Sequence, residues 1–385
     1  MQPLPNLTRI VFWEPCTSPH KADFLSALAS QAPNIEFIYC ADTQLSNERK
    51  AQGWVVNTSA NYCTIVAPSK EDIEQLVSDQ PNRTLHIFSG IRWVHCIVAA
   101  LTLVKKYKAH FAIMSEPRVR EGWRGTLRFA QSWLTEGWLR RNTAFVLAIG
   151  KNGPPWFSSV GYRNESIFPF AYFIDPPVSH ELADKLSPTT DQPIQIGYVG
   201  RLVKMKGLFD LVAAVAKLGA SVQLNIVGTG SDENSLKDTC KELQINTQFL
   251  GVLPIHDVGI FMEKMNVIVL ASTSSDDGWG VVISEALMSG TAVIATPCVG
   301  ASILLDEQLF GRCVPANSPE TIANAIKELQ DSGAFTIDAC KKRQQLAIAL
   351  LSADAGAKHL LEIIKWKFGT GIRPAPFYKT ENSHK

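Results

Sequence analysis

Three carboxylates and three glycines crowd into the stretch from Asp276 to Gly290, which reads Asp-Asp-Gly-Trp-Gly-Val-Val-Ile-Ser-Glu-Ala-Leu-Met-Ser-Gly. Seven residues separate Asp277 from Glu285. The first acid falls in a loop, and the second about one and a half turns into a helix that starts near Gly280. Both can therefore face one pocket. Between them Gly278, Trp279 and Gly280 present backbone N–H groups at a helix start, where anions and hydroxyl oxygens are held favourably. The set suits a ligand with several hydroxyls and a phosphate, a description that fits a sugar nucleotide. The plainer reading is that Asp277 caps the helix and Glu285 makes a surface ion pair.

A second cluster carries positive charge. Gly197-Tyr198-Val199-Gly200-Arg201-Leu202-Val203-Lys204-Met205-Lys206-Gly207 reads as a strand followed by a loop, with a helix over 208–218. Arg201 and Lys206 are close enough along the loop to converge on one diphosphate, the Arg through two prongs and the Lys as a point charge. A solvated loop would look the same. Ile226-Val227-Gly228-Thr229-Gly230-Ser231 is a strand with a Gly-x-Gly turn, which a strand-to-helix turn requires in any case.

The elements that must position these groups alternate. The apolar run 266–271 reads as a buried parallel strand, and 291–295 as the next. Strand, loop, helix, strand is the unit of a doubly wound sheet, in which ligands sit beyond the carboxyl ends of the strands. The first half reads likewise, with strands at 9–13, 35–40, 54–57, 63–66, 85–88, 110–114 and 143–149, and helices at 21–30, 69–78 and 91–107. The fold class is α/β, with Rossmann-like domains over 1–175 and 194–351, a Pro-rich linker at 176–193, and a closing helix within 352–385 before a polar tail.

Composition sets bounds. At 385 residues, 46% hydrophobic and net charge +1, the chain suits two soluble domains and no nucleic-acid partner. The N-terminus lacks a signal-peptide pattern, and the apolar run 96–104 is far short of the roughly 20 residues of a membrane span. The eight cysteines include no C-x-x-C pair and read as reduced core thiols, which indicates a cytoplasmic location. Neither a metal cluster nor a D-x-D triplet emerges.

The acidic segment resembles the E-x7-E element of retaining, family-4 glycosyltransferases of GT-B fold, usually written E-G-[FW]-G-x-x-x-x-E-A. Residues 200–207 resemble that family's G-R-L-x-x-x-K-G element. The resemblance covers the second domain well and the first by layout alone. It implies two Rossmann-like domains facing a central cleft, and transfer of a sugar from a UDP- or GDP-sugar with retained configuration. Arg201 and Lys206 then hold the diphosphate, Asp277 contacts sugar hydroxyls and Glu285 accepts from the ribose. Gly200, Gly228, Gly230, Val252, Gly278, Trp279 and Gly280 line the donor. Metal and cofactor are expected to be absent. The acceptor is expected to be a glycan or a lipid-linked glycan, in polysaccharide or lipopolysaccharide biosynthesis. Here Asp277 stands where the family has Glu, and its reach is about one methylene shorter.

In the first domain the family's Gly-rich turn is replaced by Cys16-Thr17-Ser18-Pro19-His20. His20 is an acceptor-side candidate, or merely a solvated or capping loop residue. Gly90 ends a strand on the same side. Glu116 stands where many relatives carry a His facing the reacting sugar. It either orients the acceptor or stabilises developing charge, or is simply an acid before a Pro turn.

Residues 101–145 carry nine positive and three negative side chains, a net of +6. Trp123, Leu127, Ala130 and Leu134 fall at helical spacing. Basic residues beside Trp and Phe over 105–141 suit a helix lying on anionic lipid at the inner face of a membrane. A domain helix with its aromatic face in the core reads equally well. Three alternatives stay open: a nucleotide-sugar epimerase of the same fold, a non-catalytic nucleotide-sugar-binding subunit, and a nicotinamide-dependent oxidoreductase. The last is disfavoured because Gly228-x-Gly230 lacks the third glycine of the dinucleotide fingerprint.

Overall fold

The computed structural model describes residues 7–47, 49, 61–177 and 192–379, the Asp276 side chain aside. The strand expected over 54–57, most of the Pro-rich linker and nearly all of the polar tail lie outside the described residues. The chain divides into two compact units, Met1–Asp175 with Ser352–Lys385, and Pro176–Leu351.

In the first unit β1 (Arg9–Cys16), α1 (Pro19–Gln31), β2 (Glu36–Thr43), β3 (Cys63–Val66) and α2 (Lys70–Ser78) come first. Then follow β4 (Thr84–Ser89), α3 (His95–Tyr107), β5 (His110–Ser115), α4 (Gly122–Thr135), α5 (Gly137–Asn142), β6 (Val146–Ile149), α6 (Gly153–Ser159) and β7 (Ile167–Phe170). The strands pair in parallel in the order β3-β2-β1-β4-β5-β6-β7. Central strands are buried on both faces, which is why 10–13 and 85–88 are unbroken apolar or aromatic runs but for His86. That His accepts the Trp13 indole N–H on Nδ1 at 3.1 Å, while its Nε2 is buried without a hydrogen-bond partner among the described residues.

The second unit holds β8 (Ile194–Val199), α7 (Leu208–Leu218), β9 (Val222–Val227), α8 (Glu233–Glu242), β10 (Thr247–Gly251) and α9 (Ile255–Lys264). It continues with β11 (Val267–Leu270), α10 (Val281–Met288), β12 (Ala292–Ala295), β13 (Gly311–Cys313), α11 (Pro319–Asp331) and α12 (Ile337–Leu351). Its strands are again parallel, in the order β10-β9-β8-β11-β12-β13. Arg343 of α12 is fully buried and donates to the carbonyls of Gly290, Leu309 and Ala334 at 2.7–2.8 Å. It thereby anchors the turn that ends α10, using only neutral acceptors.

A last helix, α13 (Ala353–Phe368), rejoins the first unit. Ser352 caps it by accepting from the Ala355 N–H at 3.2 Å. It packs on α1, and its Trp366 meets Phe168 of β7 edge to face at 5.3 Å. Ile174 and Ser352 form a parallel bridge where the chain leaves and re-enters this unit.

Some boundaries move. The helix over 91–107 starts only at His95, because Trp93 is left-handed and Asp42 accepts from the Cys96 N–H at 2.8 Å. The strand over 143–149 starts at Val146, since the Thr143 N–H is spent on the last turn of α5. Most consequential is α4. The face carrying Trp123, Leu127, Ala130 and Leu134 points outward, with Trp123 69% and Leu134 75% exposed, so the core-facing reading of that helix is wrong.

Candidate active site

In the second sheet β8 lies between β9 and β11 and is the strand at which the order reverses. Ligands of doubly wound sheets bind beyond such a switch point. The loops leaving β8, β9 and β11 meet there. Leu202 N–H donates to the Thr229 carbonyl at 2.9 Å, Asp232 N–H to the Leu202 carbonyl at 3.0 Å, and Thr273 N–H to the Met205 carbonyl at 2.9 Å.

This close packing explains the glycines. A Cβ on Gly228 would lie 1.9 Å from the Gly200 carbonyl oxygen, and one on Gly230 2.2 Å from that of Leu202. Gly207, at φ +70°, would place a Cβ 1.8 Å from the Ala271 carbonyl oxygen. Gly200, Gly228 and Gly230 were expected as donor-lining residues, and what demands glycine at 228 and 230 is the neighbouring loop.

Arg201 stands at the exit of β8, exposed, with no side-chain partner among the described residues. Its backbone is fixed instead, the Tyr198 hydroxyl donating to its carbonyl at 2.8 Å. Lys206 differs. Its ammonium donates to one Asp277 oxygen, and the Ser272 hydroxyl donates to the other. Lys206 is therefore not a free cation that converges with Arg201, and Asp277 is held as an ion pair.

The turn that follows leads into α10. Gly278 and Gly280 are left-handed at φ +59° and +78°. The Gly278 and Trp279 carbonyls accept from the Gly300 and Ala301 N–H groups at 2.7 and 2.8 Å. With these carbonyls turned away, the N–H groups of Gly280, Val281 and Val282 find no acceptor among the described residues. Trp279 departs from expectation. Its side chain is 1% exposed and its indole N–H donates to the Ser284 hydroxyl at 2.9 Å, so the ring is part of the core and does not line the site. Glu285, on the second turn of α10, has no side-chain partner among the described residues. Burial pushes its carboxyl up to about 7. Val252, past the end of edge strand β10, is half exposed and lies two strands from β8.

The first unit has its own carboxyl edge. His20, Gly90 and Glu116 follow β1, β4 and β5, which are neighbours in the sheet. His20 sits in the first turn of α1, not in a loop, because Pro19 opens that helix after the extended Ser18. Burial, and then the charge of Arg49, lower its imidazole to about 4. It is thus neutral at physiological pH. Gly90, at φ +86°, donates its N–H to the Met114 carbonyl at 3.0 Å. Glu116 accepts from the Tyr172 hydroxyl, whose pKa is raised by burial and then by the charge of Glu116.

The sequence reading missed Glu14, Lys21, Ser272 and Tyr172. Glu14 is nearly buried and pairs with Lys21 at 2.7 Å, and Lys21 also approaches the Met114 sulfur at 3.4 Å. A carboxylate inside the strand Arg-Ile-Val-Phe-Trp-Glu was the signal that could have found that pair. Among the described residues no cluster of three metal-ligating side chains occurs.

Residues 180–348 match the family described as glycosyl transferases group 1. The chain is 25% identical over 183 residues to the lipopolysaccharide core biosynthesis glycosyltransferase LpsE of Rhizobium meliloti (strain 1021), covering 48% of this chain and 53% of that protein. It is 28% identical over 184 residues to the putative teichuronic acid biosynthesis glycosyltransferase TuaC of Bacillus subtilis (strain 168), covering 47% and 44%. The matched stretch thus spans about half the length of these curated relatives. The whole chain is better matched in shape. The crystal structure of Anabaena HepE in complex with UDP and glucose superposes with a TM-score of 0.68 at 16% identity, over 93% of this chain and 99% of that one.

The fold is GT-B.

In GT-B terms, Arg201, Lys206, Asp277 and Glu285 all lie at the carboxyl edge of the second Rossmann-like domain, and His20, Gly90 and Glu116 at that of the first. Among the described residues no helix is long and apolar enough to cross a membrane.

Proposed function

We propose that this protein is a glycosyltransferase that moves a sugar, with retained configuration and without a metal, from a nucleoside diphosphate sugar to a glycan or lipid-linked acceptor. One observation carries the reading. Among the described residues, an unpaired guanidinium (Arg201), a helix start with unpaired N–H groups (Gly280 to Val282) and an unpaired carboxyl (Glu285) surround one switch point. Each lacks a partner that a nucleoside diphosphate sugar would supply. The match of residues 180–348, and the UDP and glucose held by the HepE structure, support the same assignment.

The diphosphate would take Arg201 and the α10 N–H groups. Glu285 would accept from the ribose hydroxyls, and Asp277, held by Lys206 and Ser272, from the sugar hydroxyls. As the sugar–oxygen bond breaks, negative charge builds on the departing phosphate. Donors that tighten on it at that moment lower the barrier. The proton of the attacking acceptor hydroxyl would pass to that phosphate oxygen on the same face. Glu116, held by Tyr172, is the acceptor-side carboxylate. A role in lipopolysaccharide or related polysaccharide biosynthesis rests on the relatives' names.

The outward face of α4 supports contact with the inner face of a membrane. Trp123, Leu127 and Leu134 are exposed on it, and the Arg124 guanidinium lies 5.4 Å from the Trp123 ring.

Calorimetric titration of UDP, GDP, ADP and NAD into wild type and Arg201→Ala tests the donor site. Selective binding of one nucleoside diphosphate, lost in the variant and indifferent to chelator, is expected. Best binding of NAD, or binding unchanged in Arg201→Ala, would overturn the reading. Donor turnover without any acceptor, giving an isomeric nucleotide sugar, would point to an epimerase.

A further inference from the structure

A cavity of about 600 Å³ opens at the other edge of the first sheet. Its floor lies at the start of β5 and just before the starts of β6 and β7, at His110, Ala144 and Ser166, so it lies opposite His20, Gly90 and Glu116. Lys105, Lys108, Arg140, Arg141, Arg163 and Lys367 line it, and among the described residues no Asp or Glu does. That is a marked imbalance in a chain whose net charge is +1.

Arg140 is committed, donating to the carbonyls of Ser132, Val160 and Trp133. The side chains of the other five are exposed and make no hydrogen bond or ion pair among the described residues. Lys105, Arg141 and Lys367 fall in the last turns of α3, α5 and α13, and Lys108 caps α3. A cation complements the dipole at any one helix end. The dipole does not explain why three such ends converge on one cavity, nor Arg163, which lies on no α-helix. The Arg140 and Arg141 guanidiniums each come within 3.7 Å of a Cβ placed on Gly137, so they are close neighbours. Like charges held together around a concave, partly apolar wall repel one another until an anion enters.

The shape restricts the anion. The cavity has the size of a small-molecule site, not of a groove for a nucleic-acid duplex. Trp138, its main aromatic wall, is stacked on Phe111 at 5.2 Å and has Lys105 above the ring at 5.8 Å, so it offers little face to a base. Arg141 and Arg163 carry the planar forks that suit phosphoryl oxygens.

We propose that this cavity is an anion site for a phosphate-bearing group, either the head of an anionic lipid or a free phosphorylated compound. It belongs to the first unit, and it does not depend on the glycosyltransferase reading. The lipid source has one further point in its favour. Arg140 lies 5.8 Å from the ring of Trp133, which is half exposed on α4, so the cavity adjoins the outward apolar helix.

The test uses full-length protein carrying Arg201→Ala, which silences the donor-side cation. Inorganic pyrophosphate is titrated by calorimetry, and flotation is measured with vesicles of phosphatidylglycerol and phosphatidylcholine. Both are repeated in Arg141→Ala/Arg163→Ala/Lys367→Ala and in a control, Lys217→Ala/Lys241→Ala/Lys342→Ala, which removes the same charge from exposed positions of the second unit. Pyrophosphate affinity that falls about ten-fold or more in the cavity variant alone establishes the site with a soluble ligand. Flotation lost in the cavity variant alone establishes it with a lipid head. If neither probe binds, or both triple variants lose binding equally, the proposal fails.

Discussion

Lys206 and Asp277, 71 positions apart in the chain, form an ion pair at the exits of β8 and β11, with the Ser272 hydroxyl completing the carboxylate's shell. Both side chains are largely buried. Arg201, five positions before Lys206, is exposed and unpartnered among the described residues.

This asymmetry predicts that the two cations fail differently. Arg201→Ala leaves the melting temperature unchanged and, if turnover is present, lowers it by roughly 10²–10³. Lys206→Ala strands a buried carboxylate and destabilises by about 3 kcal/mol. Lys206→Ala/Asp277→Asn recovers most of that loss. Thermal melts of the three variants check the stabilities, and equal melts for the two single variants would remove the distinction.

Glu285 titrates near neutrality, and the sign follows from its burial. Its folded pKa, about 7, is above the ordinary 4.5, so it favours folding fully below 4.5 and loses that contribution as pH rises through 7. Glu285→Gln is expected to melt higher than wild type at pH 8 and alike at pH 4.5, by up to about 2 kcal/mol after allowance for partial exposure. The ionised carboxyl is the better acceptor for ribose hydroxyls. Nucleotide affinity should therefore fall between pH 8 and 6 in wild type, and less in the Gln variant, by calorimetry.

Gly228→Ala tests the loop packing. Its Cβ would meet the Gly200 carbonyl oxygen at 1.9 Å, at a φ of +128°. Denaturant unfolding should show a loss of about 3 kcal/mol or more. Gly251→Ala shares a positive φ but meets nothing within 4 Å, and should cost about 1 kcal/mol.

The α4 face gives a third kind of readout. Trp123→Ser/Leu127→Ser/Leu134→Ser removes exposed apolar groups without opening a core. Vesicle flotation should drop several-fold while the melting temperature holds or rises. Unchanged flotation would leave that face without a lipid role.

Asp23 adds a pH signature in the first unit. Burial, then the charge of Asp175, raises its carboxyl to about 6. Its contribution is complete below 3.8 and lost as pH rises through 6. Asp23→Asn should stabilise by about 1 kcal/mol at pH 7.5 and not at pH 4, once its partial exposure is allowed for.

How far the sequence carried these readings depended on local signals. Unbroken apolar runs such as 267–270 and 292–295 told of buried parallel strands, since nothing polar is tolerated on either face. The acids and cations of the second unit were legible because they sit at fixed offsets from such strands. What each side chain does with its charge was not. The Lys206–Asp277 pair joins loops 71 residues apart, and no spacing rule announces it. The burial of Trp279 depends on Ser284 and on the loop at 299–301 behind it. Outward and inward amphipathic helices have the same periodicity, so α4 could be oriented only by its packing.

The bridge between Ile174 and Ser352 has a bearing on synthesis. Residues 1–175 emerge first, yet α1 and β7 lack their cover until α13 has been made. The second unit is one uninterrupted segment and has no such wait. During translation the usual N-terminal-first order is thus reversed: the domain begun second is completed first, while the earlier one keeps an apolar flank open until α13 has left the ribosome.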